Sequence, residues 1–256
     1  MKKRIVIKVG THVINDEEKL CVSRFEKLIQ FLSLAMEKYE VILVSSGAVA
    51  TGFSKIKLDK KIVSDKQALA AIGQPYLMQY YNEFLHKYGK FGAQILLVSD
   101  DFDSRKRTQA ARDAINTLLK NGILPIINEN DSTVVEEIMF GDNDQLSAYV
   151  THFFDAELLV ILSDINGYYD ADPKEDKNAK LILHADKIDE SRLYQNINTG
   201  SKFSTGGIVT KLKAADFLLK NGRSMFLANG FDLSDAKNFV LEGKHIGGTL
   251  FAPKKS

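Results

Sequence analysis

The chain has 256 residues, of which 45% are hydrophobic and 26% are charged, a composition typical of a soluble globular protein. Its 34 lysines and arginines are balanced by 33 aspartates and glutamates, which disfavours a general nucleic-acid-binding surface. A single cysteine, Cys21, excludes an internal disulfide and favours a reducing cytoplasmic compartment, and the sequence has no apolar run long enough to span a membrane.

Short runs rich in Val, Ile and Leu alternate with longer amphipathic segments along the chain. This alternation predicts an α/β layered fold with a mainly parallel sheet, because strands buried on both faces are continuously apolar. We expect one domain, since the chain has no linker rich in Gly, Ser or Pro. The predicted strands are residues 4–9, 41–45, 94–98, 124–128, 158–163, 181–183 and 224–228. The predicted helices are residues 23–38, 66–86, 104–119, 142–154 and 210–219.

Local signals predict how several of these segments begin and end. Ser23 with Glu26 three residues later indicates a capping box at the start of its helix. Asn-Gly pairs at 121–122 and 221–222 predict helix ends. Residues 133–140 break the alternation and predict a hairpin or flap, and the polar segment 170–204 is predicted to move as a lid.

Ligands of open α/β sheets bind beyond the carboxyl ends of the strands, so the residues after each strand are candidate site residues. Lys8 lies two residues before Gly10, which is consistent either with a phosphate-binding lysine beside a Gly turn or with a lysine that leaves for solvent. Ser46 and Gly47 follow the second strand. They would allow close approach of a ligand to the backbone, or Ser46 could cap a short helix.

Acidic and amide side chains are concentrated at two later connections, residues 128–131 (Asn-Glu-Asn-Asp) and 141–145 (Gly-Asp-Asn-Asp-Gln). One aspartate would suffice to cap the following helix, so the cluster indicates a cationic partner. That partner could be a substrate ammonium group, a catalytic lysine or a nucleotide-bound Mg²⁺, with a solvated acidic loop as the alternative. Calcium is disfavoured because neither segment has the EF-hand pattern.

A pair of glycines at 206–207 precedes a helix with Thr210 and Lys211 in its first turn, which predicts an anion site. The sequence lacks both the Walker pattern and an early G-x-G-x-x-G, so a standard P-loop is excluded and a Rossmann oxidoreductase is disfavoured. The turn at Ser163 and Asp164 is, by itself, more typical of structure than of function. Two lysines, Gly turns and an acidic cluster at strand ends are what phosphoryl transfer requires, and a second lysine suits an anionic acceptor such as a carboxylate.

These segments, in this order, resemble the amino acid kinase family over essentially the whole chain. The matching stretches are residues 6–11, 44–48, 71–74, 125–131, 140–148 and 205–212. The resemblance implies a three-layer αβα sandwich around a mainly parallel sheet, the carbamate kinase-like fold. It also implies ATP-dependent phosphorylation of the side-chain carboxylate of L-glutamate, the first step of L-proline biosynthesis. The open alternatives are a different carboxylate acceptor, such as aspartate or acetylglutamate, and an inactive amino-acid sensor.

The resemblance also implies roles for individual residues. Lys8 and Lys211 would stabilise the transferring phosphoryl group, and Asp144 would hold both lysines in place. The residues implied to bind glutamate are Ser46, Asp131 and Asn143, with Asp142 shaping the site. The residues implied to bind ATP are Lys8, Gly10, Gly47, Ser163, Asp164, Thr205, Gly206, Gly207, Ile208, Val209, Thr210 and Lys211.

The remaining implications concern ligands and organisation. Mg²⁺ would arrive on ATP, without a metal ligand from the protein. L-Glutamate and ATP would be the substrates, L-proline a feedback inhibitor, and the protein a cytoplasmic homo-oligomer with no nucleic-acid or membrane partner. A single kinase domain over residues 1–256 would bind glutamate with its N-terminal part and the nucleotide from about residue 155. Longer relatives carry a C-terminal PUA domain, which we do not expect here.

Overall fold

The structure is a computed structural model that describes residues 2–16, 19–133, 143–173, 175–193 and 207–254. Its strands are β1 (Arg4–Val9), β2 (Asn15–Asp16), β3 (Lys19–Leu20), β4 (Glu40–Ser45), β5 (Gly92–Leu97), β6 (Leu124–Glu129), β7 (Leu158–Ser163), β8 (His184–Ala185), β9 (Ser224–Asn229) and β10 (Thr249–Phe251). Its helices are α1 (Thr11–Ile14), α2 (Val22–Lys38), α3 (Ala48–Lys55), α4 (Val63–His86), α5 (Asp100–Asp103), α6 (Arg105–Lys120), α7 (Asn143–Phe153), α8 (Glu190–Leu193), α9 (Ile208–Lys220) and α10 (Ser234–Glu242).

Eight of the strands form one sheet in the order β5-β6-β4-β1-β7-β9-β10-β8. All neighbouring strands are parallel except β9 and β10, which are antiparallel. The short strands β2 and β3 form a separate antiparallel pair. The central position of β1 means that the end of this strand, where Lys8 lies, is flanked by the ends of β4 and β7. In the described part of the chain, no helix is long and apolar enough to cross a membrane.

Helices cover both faces of the sheet, and the two-residue repeat of β1 shows which side chains face which layer. Ile5 and Ile7 of β1 pack in one core with α2 and α4 side chains such as Phe25. Val6 belongs to the opposite core, with α7 and α9 side chains such as Leu146. Because side chains alternate along a strand, Lys8 lies on the same face as Val6 and is directed at the α7–α9 layer. The three-layer αβα sandwich predicted above is confirmed.

The predicted strands agree with the structure in all but one case. Residues 4–9 and 158–163 match β1 and β7 in both bounds, and the others differ from β4, β5, β6 and β9 by two residues or fewer. The strand predicted at 181–183 is wrong. Leu181 forms one isolated bridge with Tyr169, and the Ile182 N–H donates to the Tyr168 carbonyl, so this stretch pairs with the connection after β7. The strand that joins the sheet is β8, beside β10.

Helix ends give a mixed result. The predicted ends at residues 121–122 and 221–222 are confirmed, because Asn121 and Asn221 cap the C-termini of α6 and α9. The capping box at Ser23 is wrong, because α2 begins at Val22 and Cys21 occupies the N-cap position without a side-chain hydrogen bond. Asp142 and all but the first residue of the predicted flap at 133–140 lie outside the described residues, as does part of the predicted lid.

Two glycines allow the helices α3 and α4 to pack closely. A Cβ atom added to Gly73 of α4 would lie 1.8 Å from the carbonyl oxygen of Ala48, and one added to Gly52 of α3 would lie 2.0 Å from the carbonyl oxygen of Leu69. Both separations are far below van der Waals contact, so neither position accepts a side chain without movement of a helix. The contact at Gly73 therefore positions the start of α3, immediately after Gly47.

We expect Gly73→Ala to lower the free energy of unfolding by about 1–3 kcal/mol, because the added methyl group must push the two helix backbones apart. Urea denaturation followed by circular dichroism measures this change. Ala71→Ser, on the exposed face of the same helix, is the matched control and should shift stability by less than about 0.5 kcal/mol. Equal unfolding midpoints for the two variants would contradict the packing argument.

Candidate active site

Lys8 is a buried lysine near the end of the central strand. It lies opposite Val44 of β4 and Ile161 of β7, and only 4% of the residue is exposed. The alternative in which Lys8 leaves for solvent is therefore wrong. A buried ammonium group requires a counter-charge, and Lys8 Nζ lies 2.7 Å from Asp144 Oδ1.

Asp144 joins two lysines from separate elements into one buried cluster. It lies in the first turn of α7 and is completely inaccessible to solvent. Its Oδ2 accepts a hydrogen bond from Lys211 Nζ of α9 at 3.1 Å, and the Thr210 hydroxyl lies 2.8 Å from the same oxygen. The arrangement gives one carboxylate with a lysine on each oxygen. We call Lys8, Asp144 and Lys211 the lysine–aspartate cluster.

The charge balance of this cluster favours an anionic ligand. Burial raises the pKa of the Asp144 carboxyl, but the charges of Lys8 and Lys211 outweigh burial and hold that pKa well below its usual range. Asp144 is therefore ionised near neutral pH, and two lysines against one carboxylate leave one positive charge in excess. At an effective dielectric near 20, a unit charge attracts an anion 4 Å away by about 4 kcal/mol.

A pocket of about 270 Å³ adjoins the cluster and has the size of a small-molecule site. Asn143, which lines it, directly precedes Asp144 in α7. Ser46, Gly47 and Asp131 line it as well, so the structure brings together all the described residues predicted to bind the acceptor. The complete lining is Thr11, Ser46, Gly47, Ala48, Val49, Ala50, Lys60, Lys66, Asn128, Glu129, Asp131 and Asn143.

Gly47 has a backbone conformation that explains the residue at this position. Its φ is +110°, and it is the N-cap of α3, so the helix start depends on a left-handed turn and not on a cap by Ser46. A Cβ atom here would also lie 3.1 Å from Ile14 Cδ1. The prediction that small residues let a ligand approach the backbone is consistent with this turn.

A chain of amide side chains fixes the orientation of Asn143. Asn143 Nδ2 lies 2.8 Å from both Ser46 Oγ and Asn128 Oδ1. Asn128 Nδ2 donates to Gln74 Oε1 at 2.9 Å, and Gln74 Nε2 donates to Gln94 Oε1 at 3.0 Å. The nitrogen of Asn143 is thus used within the protein, which leaves its oxygen to accept a hydrogen bond from a ligand.

Asp131 is a carboxylic acid that lines the pocket and whose pKa is shifted by its surroundings. Burial raises the pKa of its carboxyl, and the charge of Lys66 lowers that pKa by a smaller amount. A partly desolvated carboxylate of this kind gains much from a cationic ligand, which replaces the lost hydration. Asp131 therefore suits an ammonium group.

The described residues that were predicted to bind the nucleotide include Ser163 and Asp164 at the carboxyl end of β7 and the residues at the start of α9. Ser163 is the last residue of β7, and its hydroxyl donates to Asp164 Oδ1 at 3.0 Å. Gly207 is the N-cap of α9, and Ile208, Val209 and Thr210 form its first turn. Gly10 was predicted to bind ATP. Its N–H group is not available to a phosphate, because it donates to the Leu162 carbonyl of β7 at 3.2 Å. Thr205, Gly206 and Asp142 lie outside the described residues.

Sequence reasoning missed several residues of the site. Gln74 and Asn128 lie in stretches noted above but received no role, and their bonding depends on partners that are distant in sequence. Lys60 and Lys66 belong to no motif, and no sequence signal separates them from surface lysines. Among the described residues, no group of three or more His, Cys, Asp or Glu side chains could hold a metal ion.

Comparisons with known proteins agree on the type of protein. The model of the amino acid kinase family matches residues 3–229. The glutamate 5-kinase of Wolinella succinogenes is 51% identical over 254 residues, with 97% of each chain covered. The glutamate 5-kinase of Leishmania donovani is 49% identical, covering 99% of this chain and 97% of the relative. The crystal structure of the UMP kinase from Ureaplasma parvum has the same fold, with a TM-score of 0.66, 16% identity and coverage of 98% and 99% of the two chains.

Proposed function

The chain belongs to the amino acid kinase family, and we propose that it is a glutamate 5-kinase, which transfers the γ-phosphoryl group of ATP to the side-chain carboxylate of L-glutamate. The product is L-glutamyl 5-phosphate, the first intermediate of L-proline biosynthesis. The observation that carries this proposal is the buried lysine–aspartate cluster beside a pocket lined by Asp131 and Asn143. This arrangement supplies positive charge where two anionic reactants meet.

The reaction forms one bond and breaks one bond at phosphorus. An oxygen of the glutamate side-chain carboxylate attacks the γ-phosphorus, the bond from that phosphorus to the β–γ bridging oxygen breaks, and ADP leaves with that electron pair. Both reactants are anions, so electrostatic repulsion opposes their approach. Lys8 and Lys211 reduce this repulsion and stabilise the charge on the transferring group, each from a position fixed by Asp144.

Asp144 acts by positioning and not as a base. The attacking carboxylate is already ionised near neutral pH, so the reaction needs no proton removal. Asp144 could not serve as a base in any case, because its pKa lies well below the usual range and a lysine is bound to each of its oxygens. For the same reason it does not fit a magnesium ligand. We propose that Mg²⁺ is bound by the ATP phosphates, where it supplies additional charge neutralisation.

The two substrates would occupy different parts of the chain. The residues that line the pocket all lie between Thr11 and Asn143, which supports glutamate binding by the N-terminal part. Ser163 and Asp164 lie at the end of β7, and the first turn of α9 contacts Asp144 through Thr210 and Lys211, which supports nucleotide binding by the part of the chain after residue 155. The whole chain is proposed to act as a single kinase domain in the cytoplasm. Inhibition by L-proline and self-association stay predictions, to be tested by proline titration and sedimentation.

We expect Asp131→Asn to raise KM for glutamate by about 10–100-fold while kcat changes little, because a carboxylate–ammonium contact is lost from ground state and transition state alike. In the wild type, KM for glutamate should rise as the pH falls through the raised pKa of Asp131, and the variant should lack this rise. The raised pKa has a second consequence. At any pH above the pKa that Asp131 has in the unfolded chain, its ionised carboxylate lowers the stability of the folded state. The ligand-free variant should therefore melt at a higher temperature at neutral pH. A larger effect on kcat than on KM would contradict this role.

Hydroxylamine trapping tests the proposed function. With ATP, glutamate and hydroxylamine, the purified protein should release ADP, and hydroxylamine should displace phosphate from the acyl phosphate to give glutamyl hydroxamate. Absence of this hydroxamate, in an assay in which a reference enzyme forms it, would overturn the proposal. Aspartate and acetylglutamate should be much poorer acceptors by kcat/KM. Tight glutamate binding in calorimetry without turnover would instead favour a sensor.

A further inference from the structure

Two side chains of opposite charge face the same pocket. Asp131 and Lys66 both line it, and the charge of Lys66 acts on the Asp131 carboxyl. The structure describes both residues, and the effect of Lys66 on the Asp131 carboxyl is that of a nearby charge and not of a hydrogen bond. Opposite charges that line one pocket are complementary to a ligand that carries both charges itself.

We propose that Lys66 binds the α-carboxylate of the acceptor amino acid while Asp131 binds its α-ammonium group, so that the pocket selects a zwitterionic head group. This assignment rests on the proposed function, and it adds a specificity-determining residue that no motif in the sequence indicates. Lys66 is the fourth residue of α4 and is half-buried, so its ammonium group is held by the helix at the edge of the pocket.

The rest of the pocket supports this orientation of the acceptor. Gly47 and Asn143 line the pocket too, and Asn143 adjoins Asp144, whose carboxylate carries Lys8 and Lys211. An amino acid with its head group between Asp131 and Lys66 can therefore direct its side-chain carboxylate toward the lysine–aspartate cluster. The two carboxylates of glutamate are thus met by different cations, and only one of them is presented for phosphorylation.

The second lysine of the pocket is already engaged elsewhere. Lys60 Nζ lies 3.6 Å from the centre of the Phe53 ring, a cation–π contact that holds it over the aromatic face. Lys60 is also exposed, whereas Lys66 is half-buried. A partly desolvated ammonium group interacts more strongly with a carboxylate than one in bulk water, so we assign the contact to Lys66.

The proposal makes opposite predictions for two analogues of glutamate. Glutarate has both carboxylates but no ammonium group, and 4-aminobutyrate has the ammonium group but no α-carboxylate. Binding of glutarate should depend on Lys66 and not on Asp131. Binding of 4-aminobutyrate should depend on Asp131 and not on Lys66.

Steady-state kinetics of four proteins test this assignment: the wild type, Lys66→Gln, Lys66→Arg and the control Lys61→Gln, a nearby exposed lysine outside the pocket. We expect Lys66→Gln to raise KM for glutamate roughly 10–100-fold, with kcat and KM for ATP within about twofold of the wild type. Lys66→Arg should recover most of the loss, and Lys61→Gln should match the wild type. Competitive inhibition by glutarate should weaken in Lys66→Gln, and inhibition by 4-aminobutyrate should not.

Two results would overturn the assignment. One is a KM for glutamate in Lys66→Gln that matches the Lys61→Gln control, and the other is an equal weakening of both analogues. Failure of the proposed function is distinguishable, because the wild type itself would then release no ADP with glutamate. Calorimetric titration of wild type and Lys66→Gln with glutamate measures the carboxylate contact without turnover and separates the two cases.

Discussion

Lys211→Met is expected to lower kcat by about 10²–10³-fold, the loss typical when one charge-stabilising donor is removed from a transition state. Methionine has a similar length and volume, so the variant removes the charge without opening a cavity. KM for glutamate should change by less than about threefold, since Lys211 acts on the transferring group and does not line the acceptor pocket. A coupled assay of ADP release measures both constants.

The matched control for this variant is Lys213→Met on the same helix. Lys213 is exposed, whereas only 4% of Lys211 is accessible, so the control removes the same charge from α9 without touching the cluster. Its kcat should equal that of the wild type. A rise in KM for glutamate without a fall in kcat in Lys211→Met would place the lysine in substrate binding and contradict the mechanism.

Local signals in the sequence were sufficient to predict an α/β fold with a mainly parallel sheet and to mark Lys8 and Lys211 as candidate anion-binding residues. The role of Asp144 was implied only by the resemblance to the family. Continuous apolar runs predict buried parallel strands, and a lysine beside a glycine at a strand end stands out against such a run. The burial of Lys8 was not predictable in this way. It depends on Asp144, which is 136 positions later in the chain and reaches Lys8 only because α7 packs on the Val6 face of β1.

The features that the sequence did not predict share a physical cause. Strands β8 and β10 have two and three residues, too few for an apolar pattern to emerge, and their position is determined by pairing with each other and with β9. The amide chain from Gln94 to Asn143 is likewise a product of tertiary contacts. Lys66 cannot be told from a surface lysine in the sequence, and only the fold brings it to the pocket that Asp131 also lines.

Asp144→Asn is expected to have the broadest effect, because it removes the carboxylate with which both buried lysines form ion pairs. Lys8 and Lys211 would then repel each other in a site that excludes water. Removal of one partner from a buried ion pair destabilises a protein by about 3–5 kcal/mol, and we expect a loss of that size in urea denaturation. The kcat should fall by at least about 10²-fold, since the two lysines are no longer oriented by a shared carboxylate.

The control for Asp144→Asn is Asp155→Asn, which breaks surface pairs with Arg112 and Arg223 and should change stability by less than about 1 kcal/mol.

The pH dependence of the stability that Asp144 contributes has a definite sign. A carboxyl whose folded pKa is lowered stabilises the fold above its unfolded pKa, near 3.9 for aspartate, and this contribution is lost as the pH falls further. The difference in stability between wild type and Asp144→Asn should therefore be constant above about pH 5 and shrink below about pH 4.

Anions provide a second and independent readout of the same variant. With Asp144 neutralised, the site holds two unbalanced positive charges in place of one, so inorganic phosphate should bind more favourably there than in the wild type. Phosphate should thus raise the melting temperature of Asp144→Asn more than that of the wild type or of Asp155→Asn. If phosphate stabilises all three proteins equally, the two lysines do not share Asp144 as their counter-charge, and the electrostatic basis of the proposed mechanism fails.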